Sequence, residues 1–548
     1  GVAIVLNKGT NIFLGTISFL TNNVVAVLQL AVSMDYSIFL LHAYTRYKNA
    51  GQDQETALTH AIEEALNSIL ASSLTTIVGF LVLTVMKFNI GFDLGLSLAK
   101  GVVFSLITVL FLMPALILRM SKLIDRFAHR SFLPDFTRLS RGICKIRLAV
   151  LVFVLILFLP MYQAQKRNSY LFGNSAVGAG EGTQVYEDDQ KIIQIFGRSN
   201  MMMAIVPAQS NVTEAQLTEH LEELPYIKSV RSLAGTIPQG VPEEFLPESI
   251  TGLLHKNGYS RILLYTRTKE ESPLAFQCAD EIQSIIKEYY PQNSYLVGGT
   301  PSTQDIETVI TKDYALVNLL SMLGVFLVVM LTYKSLAIPL VVMIPIEVAI
   351  YFNMAVPYLA GEKVVFMGYV IVSCIQLGAT VDYAILTTSN YIDARKTMDK
   401  HEAASFTLIR SIPAILTSGS ILTIVGYVLY HISSISAIGD LGHLIGRGAW
   451  ISVLLVLTLL PALLVLVDPL LTKNELTRLM EWHEKRKAAR RRLAGAFIHG
   501  KPFGKRQKVR VSVSDQQAAP EEAKQKPAER RRHQRHRRIS KEDIHYEG

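Results

Sequence analysis

Two adjacent residues, Asp382 and Tyr383, sit inside Gly368 to Asn390, an apolar stretch of membrane-spanning length, and Asp35 and Tyr36 sit in the same context between Val24 and Tyr44. An ionised Asp at the middle of a lipid-facing helix costs about 2.5–3.5 kcal/mol, so intramembrane carboxylates face a bundle interior and mark ion or proton paths. Neighbouring helix positions point to different faces, so an Asp and the Tyr beside it cannot satisfy each other. Each needs a partner elsewhere, and the expected arrangement is crosswise, Asp35 with Tyr383 and Asp382 with Tyr36. A carboxyl group withdrawn from water holds its proton more firmly, and a second carboxylate nearby adds to the effect. The chemistry to expect is therefore loading and release of a proton, driven by a membrane potential worth about 2.3 kcal/mol per charge per 100 mV. The competing reading is helix glue through buried hydrogen bonds.

Hydroxyls surround this pattern. Ser73 and Thr76, with Ser420 and Thr423, are the candidates to extend a proton wire, on helices that also carry Ser72, Thr75 and Ser418. Bonding back to their own helix carbonyls is the alternative. Asp93 with Lys100 and Asp440 with Arg447 repeat an acid and a base two helical turns apart. They are candidate gate ion pairs, or anchors at the membrane surface. Cys144, Cys278 and Cys374 show no metal-ligand or redox spacing, and no metal site or cofactor other than the proton is expected.

The elements that must position these residues are duplicated. An offset of 347 carries Asp35 to Asp382, Gln29 to Gln376, Thr76 to Thr423, Gly101 to Gly448 and Pro114-Ala115-Leu116 to Pro461-Ala462-Leu463. Asn7 meets Asn353 at an offset of 346. Self-similarity over three hydrophobic runs means a doubled helical unit, the device with which transporters place a coupling site at a repeat interface. Gly1 falls inside a repeat helix, so a first span, a first soluble domain and two further helices are expected ahead of it.

With 50% hydrophobic and 18% charged residues among 548, the chain is too apolar for a soluble protein of several domains. Nine complete spans are predicted, near 20–44, 69–87, 95–119, 147–165, 313–333, 336–356, 365–390, 409–431 and 440–468. The organisation is a first repeat over 1–118, a linker over 119–146, a span to 167, a polar domain over 168–310, a second repeat over 311–468 and a tail over 469–548. The linker is rich in Lys and Arg, which places it in the cytoplasm and puts the acidic residues 168–310 outside. Ser121 to Phe132 reads as a basic amphipathic helix in the headgroup region. The tail is basic and reads as disordered and cytoplasmic, a partner for anionic lipids rather than nucleic acid. Within 168–310, strands near 200–206, 227–233, 260–266 and 294–298 alternate with helices near 213–223, 243–256 and 272–290, the order of a split βαβ, ferredoxin-like domain.

Gln376-Leu377-Gly378-Ala379-Thr380-Val381-Asp382-Tyr383 and Ser33-Met34-Asp35-Tyr36 resemble the signature of the MMPL family of the resistance-nodulation-division (RND) superfamily, and the Leu-Pro-Ala-Leu ending at Leu460 to Leu463 is similar to that family too. The resemblance implies a polytopic α-helical membrane protein, an RND-type pseudo-symmetric bundle with a porter-like α+β domain outside a bacterial cell membrane. It also implies proton-driven export of lipids or other hydrophobic or amphiphilic molecules, with Asp35, Tyr36, Asp382 and Tyr383 as the relay. Drug pumps of the superfamily pair acids in one span with a Lys in a later one. The helix around Asp382 has no Lys, which argues against that subgroup and its trimers and leaves a monomer or small oligomer.

Two similar bundles compete with the exporter: a sterol-sensing or Patched-like lipid receptor and a SecDF-like accessory to protein export. Paired intramembrane aspartates also describe presenilin-type proteases, whose Tyr-Asp and Gly-x-Gly-Asp patterns differ from the Asp-Tyr order here. The chain is expected to be a secondary transporter and not an enzyme.

Overall fold

A chain that places long apolar runs in lipid must satisfy its backbone within each segment, and helices do this. The computed structural model describes residues 1–15, 17–126, 136–173, 183–236 and 247–471. Among these, nine helices are long and apolar enough to cross a membrane. The tail from 472 onward and the end of the expected amphipathic helix, 127–132, lie outside the described residues.

The first repeat comprises α1 (Val2–Thr10), α2 (Phe19–Asn49), α3 (Gln54–Val82), α4 (Asn89–Ile107) and α5 (Met113–Arg126). A π-helical turn over Thr108–Leu112 joins α4 to α5, just ahead of Pro114, whose ring and missing N–H disturb regular helix bonding. Then come α6 (Thr137–Lys166), β1 (Tyr170–Leu171), α7 (Gln184–Phe196), β2 (Asn200–Pro207), α8 (Asn211–Glu222), β3 (Ile227–Arg231), α9 (Leu233–Thr236), α10 (Glu248–Leu254), β4 (His255–Lys256), β5 (Tyr259–Thr266), α11 (Pro273–Tyr289) and β6 (Tyr295–Gly298). The second repeat follows with α12 (Gly299–Tyr333), α13 (Ala337–Ala360), β7 (Val364–Val365), α14 (Phe366–Ala394), α15 (Lys400–Ile432) and α16 (Ser436–Leu471).

Several helices exceed their apolar runs because polar caps start them earlier. Asp53 accepts the Thr56 N–H at 3.2 Å ahead of α3, and Asp399 accepts the His401 N–H at 3.1 Å ahead of α15. Each thereby satisfies one of the free donors of a helix start. Burial separates the helices by role. In its most apolar window α14 is 89% buried and α6 only 11%, so α14 is the core of the bundle and α6 faces lipid. Where α15 meets α16 there is no room for side chains: a Cβ on Gly426 would lie 2.5 Å from the Gly446 nitrogen. Small residues let membrane helices approach in this way.

The sheet runs β3-β5-β2-β6 with every pairing antiparallel, and β4 adds to β5. Met202, Ala204, Ile262 and Leu264 from one face pack with Leu217 of α8 and Ile282 of α11 in a core of their own. From there α12 runs as one helix of 35 residues, so the sheet domain has no flexible joint to the second repeat. A short parallel pair, Tyr170 with Val364 and Leu171 with Val365, ties the exit of α6 to the entry of α14.

Candidate functional site

The duplication survives in three dimensions as a pair of matching hydrogen-bond networks. Asn7 donates to Gln29 at 2.8 Å and to the Ser97 carbonyl at 3.1 Å, and Gln29 donates to the Gly101 carbonyl at 3.0 Å. In the second repeat Asn353 donates to Gln376 at 2.9 Å and to the Leu444 carbonyl at 2.9 Å, and Gln376 donates to the Gly448 carbonyl at 3.2 Å. The glycines are required. A Cβ on Gly448 would fall 2.4 Å from Gln376 Oε1, and one on Gly101 2.8 Å from Asn7 Nδ2. These networks lock the rotation of α2 and α14 about their own axes, and hence the direction of the carboxylates, each six residues beyond its glutamine.

Those carboxylates point into one space. Asp35, Tyr36, Asp382 and Tyr383 line a single cavity together with Ser72 and Ser418. Its volume, ≈ 40 Å³, is room for about three waters at roughly 10–15 Å³ each. Both tyrosines are buried, and the Oδ1 atom of each aspartate is buried with no hydrogen-bond partner among the described residues. A buried oxygen of that kind is costly unless it finds a proton or a water.

Hydroxyls, not direct Asp–Tyr bonds, fill the gaps between the repeats. Ser418 donates to the Tyr383 hydroxyl at 3.0 Å and also lies against Asp35. Ser72 and Thr75 lie against Asp382, while the Tyr36 hydroxyl donates to Thr76 at 3.5 Å. The crosswise expectation thus takes an indirect form, with a serine or threonine between each acid and the phenol of the other repeat.

Of the four hydroxyls singled out as relay support, none lines the cavity, and one, Thr76, is tied to it through the Tyr36 hydroxyl. The Thr76 hydroxyl shares its one proton between the Gly378 carbonyl at 2.8 Å and the Ser72 carbonyl of its own helix at 3.0 Å. Ser73 bonds back to the Leu70 carbonyl at 3.1 Å, and Ser73, Ser420 and Thr423 do not line the cavity. Ser72 and Ser418 take their place.

The gate ion pairs are a correction. Among the described residues no ion pair joins Asp93 to Lys100 or Asp440 to Arg447. Seven helical residues span about 10.5 Å of axis, too far for these side chains to meet. Lys100 instead donates to the Asn7 carbonyl at 3.2 Å and to Asn11 at 2.6 Å, and Arg447 to Asn353 Oδ1 at 2.9 Å. The two bases therefore brace the asparagine networks. Asp93 accepts the Ser18 N–H at 3.2 Å.

Sequence reading passed over two further features. Glu347, within α13, has both carboxylate oxygens buried and without a partner among the described residues; Gly1 stands opposite it at the offset of 346, so repetition could not flag it. The Asp468 carboxylate holds Arg395 at 2.6 and 3.0 Å and the Tyr391 hydroxyl at 2.8 Å. Its counterpart at the offset of 347 is Ser121.

Fold and site together define a polytopic membrane protein built from duplicated helical repeats, with buried acids at the repeat interface. The MMPL family model matches residues 2–134 and 179–503, and the chain belongs to the MMPL family, within the RND superfamily. It is 32% identical over 165 residues to the membrane protein ActII-3 of Streptomyces coelicolor, covering 29% of this chain and 23% of that one. It is 36% identical over 90 residues to the membrane protein MJ1562 of Methanocaldococcus jannaschii, covering 16% and 23%. Over 210 residues it is 24% identical to MmpL12 of Mycobacterium tuberculosis, whose name describes a transport protein, covering 36% and 17%. The matched stretches thus span about a quarter or less of these relatives' own lengths.

Proposed function

We propose that the protein exports lipids or other hydrophobic or amphiphilic molecules across a bacterial cell membrane by proton antiport, with Asp35, Tyr36, Asp382 and Tyr383 carrying the proton and no other cofactor. The observation that carries this reading is that the two aspartates, one per repeat, line one water-sized cavity instead of facing lipid. A carboxylate with a buried, unpartnered oxygen gains from binding a proton. A second acid on the same cavity makes simultaneous ionisation costly, so the pair favours one proton at a time.

In this reading residues 168–310 face outward, the tail beyond 471 lies in the cytoplasm against anionic lipid, and the protein works as a monomer or small oligomer. The strand order β3-β5-β2-β6 with α8 and α11 on one face supports a ferredoxin-like, porter-type outer domain. Its short tie to the membrane through α12 suits a domain that must feel the state of the bundle.

The test is proton flux in proteoliposomes. Asp382→Asn should abolish flux coupled to an amphiphilic substrate while the protein still reaches the membrane, and Asp35→Asn should do the same. Full coupled flux in both variants would remove the proposal. Ligand binding without flux in the unaltered protein would favour a receptor.

A further inference from the structure

A second cavity adjoins the first on the side of the bundle remote from the sheet domain. Its volume is ≈ 100 Å³, and His42, Arg46, Glu64, Asn390, Asp393 and Arg410 contribute to its walls. The two cavities share Phe39, Ser68, Leu386 and Ala414, and Ser68 is the polar residue at this neck. The charged residues come from the last turns of α2 and α14 and from about three turns into α3 and α15. Space of this size lined by charges holds several waters.

One side chain spans the mouth. The Glu64 carboxylate accepts from Arg46 of its own repeat and from Arg410 of the other, as well as from the Tyr47 hydroxyl at 2.8 Å. Glu64 and Arg410 stand at the offset of 346, which also relates the caps Asp53 and Asp399 and the site serines Ser72 and Ser418. Equivalent positions of two pseudo-symmetric units meet near their axis. Identical charges would repel there, so an acid facing its own counterpart turned base makes the contact attractive. The Arg46 link lies within one repeat and survives a shift of one repeat against the other; the Arg410 link does not.

We propose that this vestibule is the water route by which the Asp–Tyr cavity exchanges protons with the side of the membrane remote from the sheet domain, and that the Glu64–Arg410 link is its movable closure. The inference rests on the proton-coupled reading above and adds its access path. Ser68 is the neck through which water passes. Arg46 holds Glu64 in place while the mouth opens.

The experiment uses the full chain carrying Cys144→Ser, since Cys278 and Cys374 are buried, with Ser68→Cys added. Membrane vesicles of both orientations are treated with a charged methanethiosulfonate reagent. Modification is expected from the side bearing Arg46 and Arg410 and not from the other, and Arg410→Gln should speed it about tenfold. Equal modification from both faces, none from either, or no acceleration in Arg410→Gln would overturn the proposal. Ser389→Cys, on the wall of the wider cavity, gives the same readout if the neck variant folds poorly. Adding Asp382→Asn separates the two ideas: labelling that persists while flux in that variant stays normal condemns the relay and leaves the water route standing.

Discussion

The Thr76 hydroxyl of the first repeat donates a 2.8 Å hydrogen bond to the Gly378 carbonyl of the second. That carbonyl belongs to the turn that leads into Asp382, so the bond couples the helix bearing one hydroxyl set to the helix bearing the acid. Thr76→Val keeps the shape and removes the donor. Polar bonds between membrane helices are worth about 0.6 kcal/mol on average. A loss of about 0.5–1 kcal/mol in unfolding from detergent is expected, with a larger proportional loss of proton-coupled flux. Unchanged flux at that reduced stability would make Thr76 a helix fastener only.

Gly448 is predicted to be intolerant of any side chain. In Gly448→Ala the new methyl meets Gln376 Oε1 at 2.4 Å and Asn353 Nδ2 at 2.5 Å, both held by bonds that also brace Arg447. Overpacking of this kind costs about 1–3 kcal/mol. Gly142→Ala is the control, since nothing lies within 4 Å of its added carbon. A melting curve for Gly448→Ala that matches the control would show that the network can yield.

How far such relationships were legible depends on whether the sequence carried them as a period or as a contact. The spans were legible because lipid demands long apolar helices, and Asp35 and Asp382 because a costly residue occurs twice in register. Ser72 and Ser418 were not chosen over their neighbours because they correspond at 346, and a rigid shift of 347 sets Ser72 against Gly419. The one-residue difference is absorbed within α3 and α15, which contain 29 and 33 residues. Asp93 with Lys100 failed as a pair for the opposite reason: spacing along one helix suggested a contact that axial distance forbids. The Glu64–Arg410 bond joins residues far apart in the chain, and nothing local announces it.

Acid should weaken the starts of α3 and α15. The Asp53 carboxylate is held below its usual range chiefly by the hydroxyl and N–H of Thr56, and that of Asp399 by the His401 N–H. A depressed folded pKa means stability that is fully present above the unfolded value, about 3.9, and lost as pH falls through the folded one. Asn caps a helix as well as Asp does but does not titrate. In the double variant Asp53→Asn, Asp399→Asn the fall in melting temperature below about pH 4 should therefore shrink. An identical acid slope in both proteins would assign the loss to other carboxylates.

The clamp at the far end of α16 predicts the largest single loss. Asp468 is 8% exposed and Arg395 23%, and the carboxylate also takes the Tyr391 hydroxyl, so removing it strands a guanidinium and a phenol together. Breaking a fully buried pair costs about 3–5 kcal/mol, and the partial exposure of Arg395 places Asp468→Asn at the lower edge of that range or just beneath it. The exposed pair Asp188–Lys191, with side chains 53% and 62% exposed, provides the contrast, because surface pairs contribute about 0–1 kcal/mol. Asp188→Asn should melt with the unaltered protein and Asp468→Asn well before it. The first repeat carries Lys48 and Ser121 where the second has Arg395 and Asp468, so the Asp468–Arg395 clamp is a feature of the second repeat. Hydrogen exchange at the loop-side end of α14 should accordingly be slower than at the same end of α2, and faster exchange in α14 would refute that asymmetry.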